Sequence, residues 1–179
     1  MKKKNTTADL ALAAMFLALA FVLPFFTGQI PQIGNMLCPM HLPVIMCGYI
    51  CGGPWGLAVG FAAPLLRSFI IGSPVLFPRA VAMAFELATY GFLSGFLYRI
   101  LPKKKINIYL SLIISMVIGR IIWGIVQIVC AGFNIEKFGL SAFWAGAVVN
   151  AVPGIIIQLV LIPVLIIIIE KSILNKNKM

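Results

Sequence analysis

The sequence predicts an all-α integral membrane protein, a compact bundle of six transmembrane helices with both termini in the cytoplasm. Of the 179 residues, 62% are hydrophobic and only 10% are charged, and the mean hydropathy is +1.10. Because a soluble domain has roughly 25% charged residues, lipid must surround most of this chain. At about 20 residues per spanning helix, the length accommodates six helices in one domain, residues 1–179, and no soluble domain.

Apolar runs separated by glycine, proline and basic residues define the six helices. We expect them at about residues 8–26, 40–51, 55–71, 79–101, 106–131 and 142–170. The first run follows Lys2, Lys3 and Lys4, as a signal peptide would. It is longer than a signal core, lacks a convincing cleavage site and precedes further membrane segments. We therefore expect it to be retained as a helix.

The distribution of basic residues predicts the orientation. Ten of the fourteen Lys and Arg fall on one side of a six-helix arrangement, namely Lys2, Lys3, Lys4, Arg99, Lys103, Lys104, Lys105, Lys171, Lys176 and Lys178. Cytoplasmic loops carry the excess of Lys and Arg, so this side is predicted to be cytoplasmic. The opposite side keeps only Arg79 and Lys137 near its loops.

Several classes of function are disfavoured by the composition. The net charge of +10 comes mostly from Lys and Arg residues that flank the predicted membrane helices. A nucleic-acid partner is therefore not expected. The motifs GxxxxGK[ST], HExxH and GxSxG are absent, and one histidine leaves little for acid–base chemistry. We expect no enzyme and no catalytic residue. Cys47 and Cys51 are four residues apart, but a metal site would need further ligands beyond His41, so no metal is expected.

Ionisable residues inside apolar helices indicate where a binding site lies. A charge at the bilayer centre costs at least about 2.5–3.5 kcal/mol, so Arg67, Arg79, Glu86 and Arg120 should face a cavity or a partner. At about 1.5 Å per residue, Glu86 lies about 10 Å further in than Arg79, and Arg120 about 20 Å from the cytoplasmic start of its helix. With Asn150 they converge on one level, in the outer leaflet.

Helical spacing groups these residues into two polar faces. Arg120, Trp123 and Gln127 are at i, i+3 and i+7, and Glu86 and Tyr90 are at i and i+4. Such faces can line a pocket for a small molecule. Alternatively, Arg120 and Glu86 pair to hold helices four and five together. The two interpretations are not exclusive.

The uncharged segment from Thr27 to Asn35 is long for so compact a bundle. It is a candidate lid over the pocket, or else a plain connector. Asn35 belongs to this segment, and His41 starts the second helix beside it. A lone histidine serves as a capping or packing group as readily as it contacts a ligand.

A stripe of small residues lies on the first helix. Ala11, Ala14 and Ala18 are at i, i+3 and i+7, and this spacing lets membrane helices approach closely. The stripe either packs inside the bundle or docks a separate membrane subunit.

Taken together, these residues resemble the substrate-binding S component of energy-coupling factor (ECF) vitamin transporters. The resemblance covers essentially the whole chain. The residues that carry it are Ala14-x-x-x-Ala18, the stretch NMLCPMHLPV from Asn35 to Val44, GGPWG at 52–56 and APLLR at 63–67. It implies capture of a vitamin-like molecule at the extracellular side of a bacterial plasma membrane. In that family the ligand lies under the first loop, among helices four to six, at the polar level described above.

The resemblance also implies partner subunits and a set of substrate-binding residues. Uptake would need a transmembrane coupling subunit and two ATPase subunits that use ATP, so no cofactor is expected in this chain. The stripe Ala11, Ala14 and Ala18 would dock the coupling subunit. The candidate substrate-binding residues are Asn35, His41, Arg67, Arg79, Glu86, Tyr90, Arg120, Trp123, Gln127 and Asn150.

The substrate itself is left open. The excess of Arg67, Arg79 and Arg120 over Glu86 slightly favours an anion such as pantothenate. If Arg67 faces lipid headgroups, then pyridoxine, riboflavin or a modified base is equally plausible. The alternative function is a self-sufficient small-solute transporter or channel. A membrane-embedded hydrolase is disfavoured by the few titratable residues.

Overall fold

The computed structural model describes residues 6–26, 39–102, 104–132, 146 and 151–176. Within these ranges the chain forms six helices and no strand, in agreement with the predicted all-α class. The helices are α1 (Thr6–Phe26), α2 (His41–Cys51), α3 (Gly53–Ile71), α4 (Val81–Ile100), α5 (Lys105–Cys130) and α6 (Val152–Lys176). A short π-helical segment, Leu76–Ala80, leads directly into α4.

Five of the helices are long and apolar enough to cross a membrane, with Leu76–Ile100 counted as one span. The exception is α2, which has 11 residues. At about 1.5 Å per residue it is about 16 Å long, well short of a hydrocarbon core of about 30 Å. The described chain has the make-up of a multi-pass membrane protein.

The helix bounds differ from the sequence prediction mainly at α4 and α6. The fourth helix was predicted to begin at Arg79, which lies in the π-helical segment that leads directly into α4, and the break in helical geometry comes just before it, at Phe77 (φ −120°, ψ 132°). A residue that precedes proline, here Pro78, is disfavoured in the α region. Residues 142–145 and 147–150 lie outside the described residues. At its other end α6 continues past Glu170 to Lys176, since no proline or glycine stops it there.

Glycines bring α2, α3 and α4 into close contact. A Cβ atom on Gly91 of α4 would lie 2.9 Å from the Cα atom of Gly56 on α3. One on Gly53 would lie 2.9 Å from the carbonyl oxygen of Phe92, and one on Gly48 of α2 would lie 3.1 Å from the carbonyl carbon of Gly91. The helix backbones therefore touch at these positions, as small residues allow in a membrane. These three helices form the centre of the bundle.

The outer helices pack around this centre. Helix α1 contacts α2 and α3, and it buries Ala13, Phe16 and Ala20 there. Helix α5 packs against α4, and α6 packs against α2 and α5. Many of the remaining large apolar side chains on α1, α5 and α6 are exposed, as lipid-facing residues are in a membrane bundle. The buried core of the bundle is therefore small, and few polar side chains lie inside it.

Polar contacts fix one end of the bundle, close to Lys104 and Lys105. The Tyr49 hydroxyl of α2 donates a hydrogen bond to the Ile108 carbonyl of α5 at 3.0 Å, and it lies 2.7 Å from Ser111 Oγ. Arg99, near the end of α4, donates to the Cys51 carbonyl at 3.0 Å. The C-terminal ends of α2 and α4 thus lie beside the start of α5. We call this the basic end.

Candidate functional site

The most strongly polar part of the described interior is centred on Glu86. Its Oε1 atom accepts a hydrogen bond from the Tyr90 hydroxyl at 3.0 Å. The same oxygen lies 3.0 Å from Arg120 Nη1 and 3.5 Å from His41 Nε2. These four residues come from three helices, α2, α4 and α5, and we refer to them as the Glu86 cluster. The ion pair between Glu86 and Arg120, one of the two interpretations of the sequence, is present.

The cluster is almost dry except on the side of Arg120. The side chains of His41 and Glu86 are 3% and 2% exposed, whereas that of Arg120 is 15% exposed. A carboxylate buried this deeply requires compensation by opposite charge and hydrogen bonds, and Arg120 and Tyr90 supply both. Arg120 is therefore the more accessible member of the ion pair.

Local packing determines the position of Tyr90. Glu86 and Tyr90 are one turn apart on α4 and so face the same way. The Tyr90 ring lies against Gly119 of α5, where a Cβ atom would collide with it. The ring centroids of Tyr90 and His41 are 5.4 Å apart. Gly119, next to Arg120 in the chain, thus leaves space for the ring of Tyr90, whose hydroxyl donates to the Glu86 carboxylate.

The Glu86 cluster lies away from the basic end. His41 is the first residue of α2, and Glu86 lies in the second turn of α4, whereas the basic end contains the last residues of both helices. Arg120 lies ten residues before Cys130, in the C-terminal half of α5. The cluster therefore occupies the opposite half of the bundle.

Two of the predicted arginines are not part of this cluster. Arg67 donates a hydrogen bond to the Phe21 carbonyl at 2.8 Å, and its guanidinium lies 5.0 Å from the centroid of the Phe25 ring. It therefore joins α3 to α1, whereas the cluster lies among α2, α4 and α5. Arg79 is exposed on the segment before α4 and has no ion-pair partner among the described residues.

The remaining candidates are only partly placed. Gln127 is 8% exposed, and Trp123 is half-buried on the same face of α5. The Trp123 ring lies beside Gly146, where a Cβ atom would be 2.6 Å from Cη2. Asn35 and Asn150 lie outside the described residues, as does the proposed lid, residues 27–35. Among the described residues, no group of three His, Cys, Asp or Glu side chains could hold a metal ion.

Gln158 on α6 is a candidate that the sequence analysis missed. It is 2% exposed, and its Oε1 atom has no hydrogen-bond partner among the described residues. His41 Nδ1 is also buried, with no partner in the same part of the chain. The signal was present, because Gln158 is the single polar side chain between Val152 and Ile169, and such residues in membrane helices are commonly functional.

The alanine stripe lies on the outer surface of α1. Ala11, Ala14 and Ala18 are exposed, whereas Ala13 and Ala20 face the bundle. In the isolated chain the stripe does not serve internal packing. The three alanines form a strip of small side chains on the surface of α1, between larger exposed side chains such as those of Met15 and Leu19. We call it the small-residue strip.

A helical multi-pass protein with a buried cluster of charged and hydrogen-bonding side chains in one half has the features of a membrane protein that handles a small polar solute. Comparison with protein families makes this specific. The model of the family "ECF transporter, substrate-specific component" matches residues 8–166, and the chain belongs to this family. This is a family of transporter subunits and not a family of enzymes. Neither the curated proteins nor the solved structures yield a match.

Proposed function

We propose that this subunit captures a small water-soluble vitamin or related micronutrient at the extracellular face of a bacterial plasma membrane. The observation that carries the proposal is the position of the Glu86 cluster, in the half of the bundle opposite Lys104 and Lys105. Basic residues favour the cytoplasmic side, which leaves the cluster facing outward. The chain then crosses the membrane six times, with both termini in the cytoplasm, and α2 forms only part of its crossing.

The proposal includes the partners that the family implies. A transmembrane coupling subunit docks on the exposed stripe of Ala11, Ala14 and Ala18, and two ATPase subunits use ATP to drive uptake. The exposure of all three alanines on α1 supports this role. Close approach at small residues is a general means of helix association in lipid, where the hydrophobic effect between helices is absent.

The structure changes the argument about the substrate. The preference for pantothenate depended on Arg67, Arg79 and Arg120 acting together on an anion. Arg67 contacts α1, Arg79 is exposed, and Arg120 is paired with Glu86. Charge therefore gives pantothenate no advantage over pyridoxine, riboflavin or a modified base.

The proposal predicts that the purified protein retains its substrate. We expect mass spectrometry of the protein in mild detergent to detect one vitamin-like molecule bound near stoichiometrically. The protein stripped of this molecule by partial unfolding and refolding should bind it again. Transport by the isolated chain in proteoliposomes, with no partner subunit and no retained molecule, would instead favour the self-sufficient transporter.

The topology is tested separately by cysteine labelling. In a variant with Cys38, Cys47, Cys51 and Cys130 replaced by alanine, single cysteines are introduced at Lys104 and at Lys137. We expect a membrane-impermeant maleimide to label position 137 in intact cells and position 104 only after the membrane is opened. Labelling of both positions from the same side would contradict the six-helix arrangement.

A further inference from the structure

The opposite charges of Glu86 and Arg120 cancel within their ion pair. Besides Glu86, the buried charged residue in the described ranges is Arg67, which contacts α1 and is not part of the Glu86 cluster. An anion that reached Arg120 would lie close to the Glu86 carboxylate, which already occupies the guanidinium at 3.0 Å, and a cation would meet the guanidinium itself. In a desolvated site either charge would lack compensation, whereas an uncharged molecule leaves the ion pair intact.

A buried hydrogen-bond acceptor with no partner among the described residues lies near the start of α6, as Glu86 lies near the start of α4. Gln158 is about 9 Å along α6 from Val152, and Glu86 is about 8 Å along α4 from Val81. Helix α6 packs against α2 and α5, the helices that carry His41 and Arg120. A buried amide oxygen without a partner is costly, by about 1–3 kcal/mol. A ligand that donates a hydrogen bond to Gln158 Oε1 would remove that cost.

We propose that the substrate carries no net charge at neutral pH and donates a hydrogen bond to Gln158 Oε1. This inference rests on the proposed function, since it describes the molecule that the substrate-specific subunit captures. The substrate class is thus a small polar molecule with at least one N–H or O–H donor. Arg120 and the imidazole of His41 are the neighbouring groups of the cluster that can hydrogen-bond to its other polar atoms.

The test uses Gln158→Met, which keeps the volume of the side chain and removes its amide. Pyridoxine and riboflavin, both uncharged at pH 7, and the anion pantothenate are titrated calorimetrically into the wild-type protein and the variant. Any molecule extracted from the purified wild-type protein is characterised by ion-exchange retention at pH 7. We expect the bound molecule to be uncharged, and the variant to bind it at least about tenfold more weakly, as expected for one lost hydrogen bond.

Thermal melts of the ligand-free proteins provide a readout that is independent of the substrate. Tyr49→Phe is the matched control, because its hydroxyl has partners on α5 and its loss should lower the melting temperature. Gln158→Met should leave the melting temperature unchanged or raise it. A fall as large as that of Tyr49→Phe would show that Gln158 has a structural partner and would overturn its role.

The outcomes separate this inference from the proposed function. A bound anion, or an unchanged affinity in Gln158→Met, overturns the inference and leaves the function intact. If the wild-type protein binds and retains no small molecule, the proposed function fails instead. The melting temperatures still decide whether Gln158 Oε1 lacks a protein partner.

Discussion

Arg120→Gln is expected to weaken substrate binding at least about thirtyfold. Arg120 is the more accessible member of its ion pair with Glu86, since 15% of its side chain is exposed. Removing a charged donor from a desolvated site costs more than about 2 kcal/mol, because its partner is left unpaired, and 1.4 kcal/mol corresponds to a factor of ten. Calorimetric titration with the molecule retained by the wild-type protein measures the effect.

The same substitution also strands the Glu86 carboxylate, so a double variant is needed to separate binding from folding. Arg120→Gln combined with Glu86→Gln removes both charges and should restore the melting temperature. If Arg120 contacts the substrate, the affinity of the double variant stays low. Near-native affinity would make Arg120 a structural partner of Glu86 and nothing more. Arg99→Gln, at the basic end, is the control for loss of an arginine elsewhere.

Ala14→Leu is expected to abolish uptake by cells while substrate binding to the isolated protein stays near that of the wild type. Ala14 is exposed on α1, and a leucine there would hold a facing helix away from the small-residue strip. The Glu86 cluster does not include α1, so the site itself is untouched. Uptake of radiolabelled substrate by cells that express the whole transporter, compared with calorimetry on the purified subunit, measures both effects.

Two neighbouring positions control this experiment. Met15 is exposed on α1 but already large, so Met15→Leu should preserve uptake. Ala13 is buried against the bundle, so Ala13→Leu should lower the melting temperature of the isolated protein. An equal loss of binding and uptake in Ala14→Leu would mean that the alanine supports the bundle rather than a partner.

Helical periodicity was sufficient to predict two contacts of the Glu86 cluster. Spacing of three and four residues placed Glu86 beside Tyr90, and helix lengths brought Arg120 to the level of Glu86. The structure has both contacts. The close approach of His41 to the same carboxylate required the packing of α2 on α4, which spacing within one helix does not specify.

Arg67 shows where sequence patterns were insufficient. Its hydrogen-bond partner is the backbone carbonyl of Phe21, and every residue has such a carbonyl, so no pattern of residue types marks it. The glycines of α3 and α4 are a similar case. Which backbones they bring together depends on how three helices cross, and the sequence does not specify this.

The length of α2 has a consequence for how a substrate reaches the site. Its last residue, Cys51, is held at the basic end by Arg99, so its shortfall of about 14 Å against a membrane-spanning helix falls at the end that carries His41. In the proposed orientation, His41 and Glu86 lie far below the outer membrane surface. A molecule must shed its hydration shell before it reaches them. The affinity of the site is then set by how completely its polar atoms replace the hydrogen bonds that the molecule made in water.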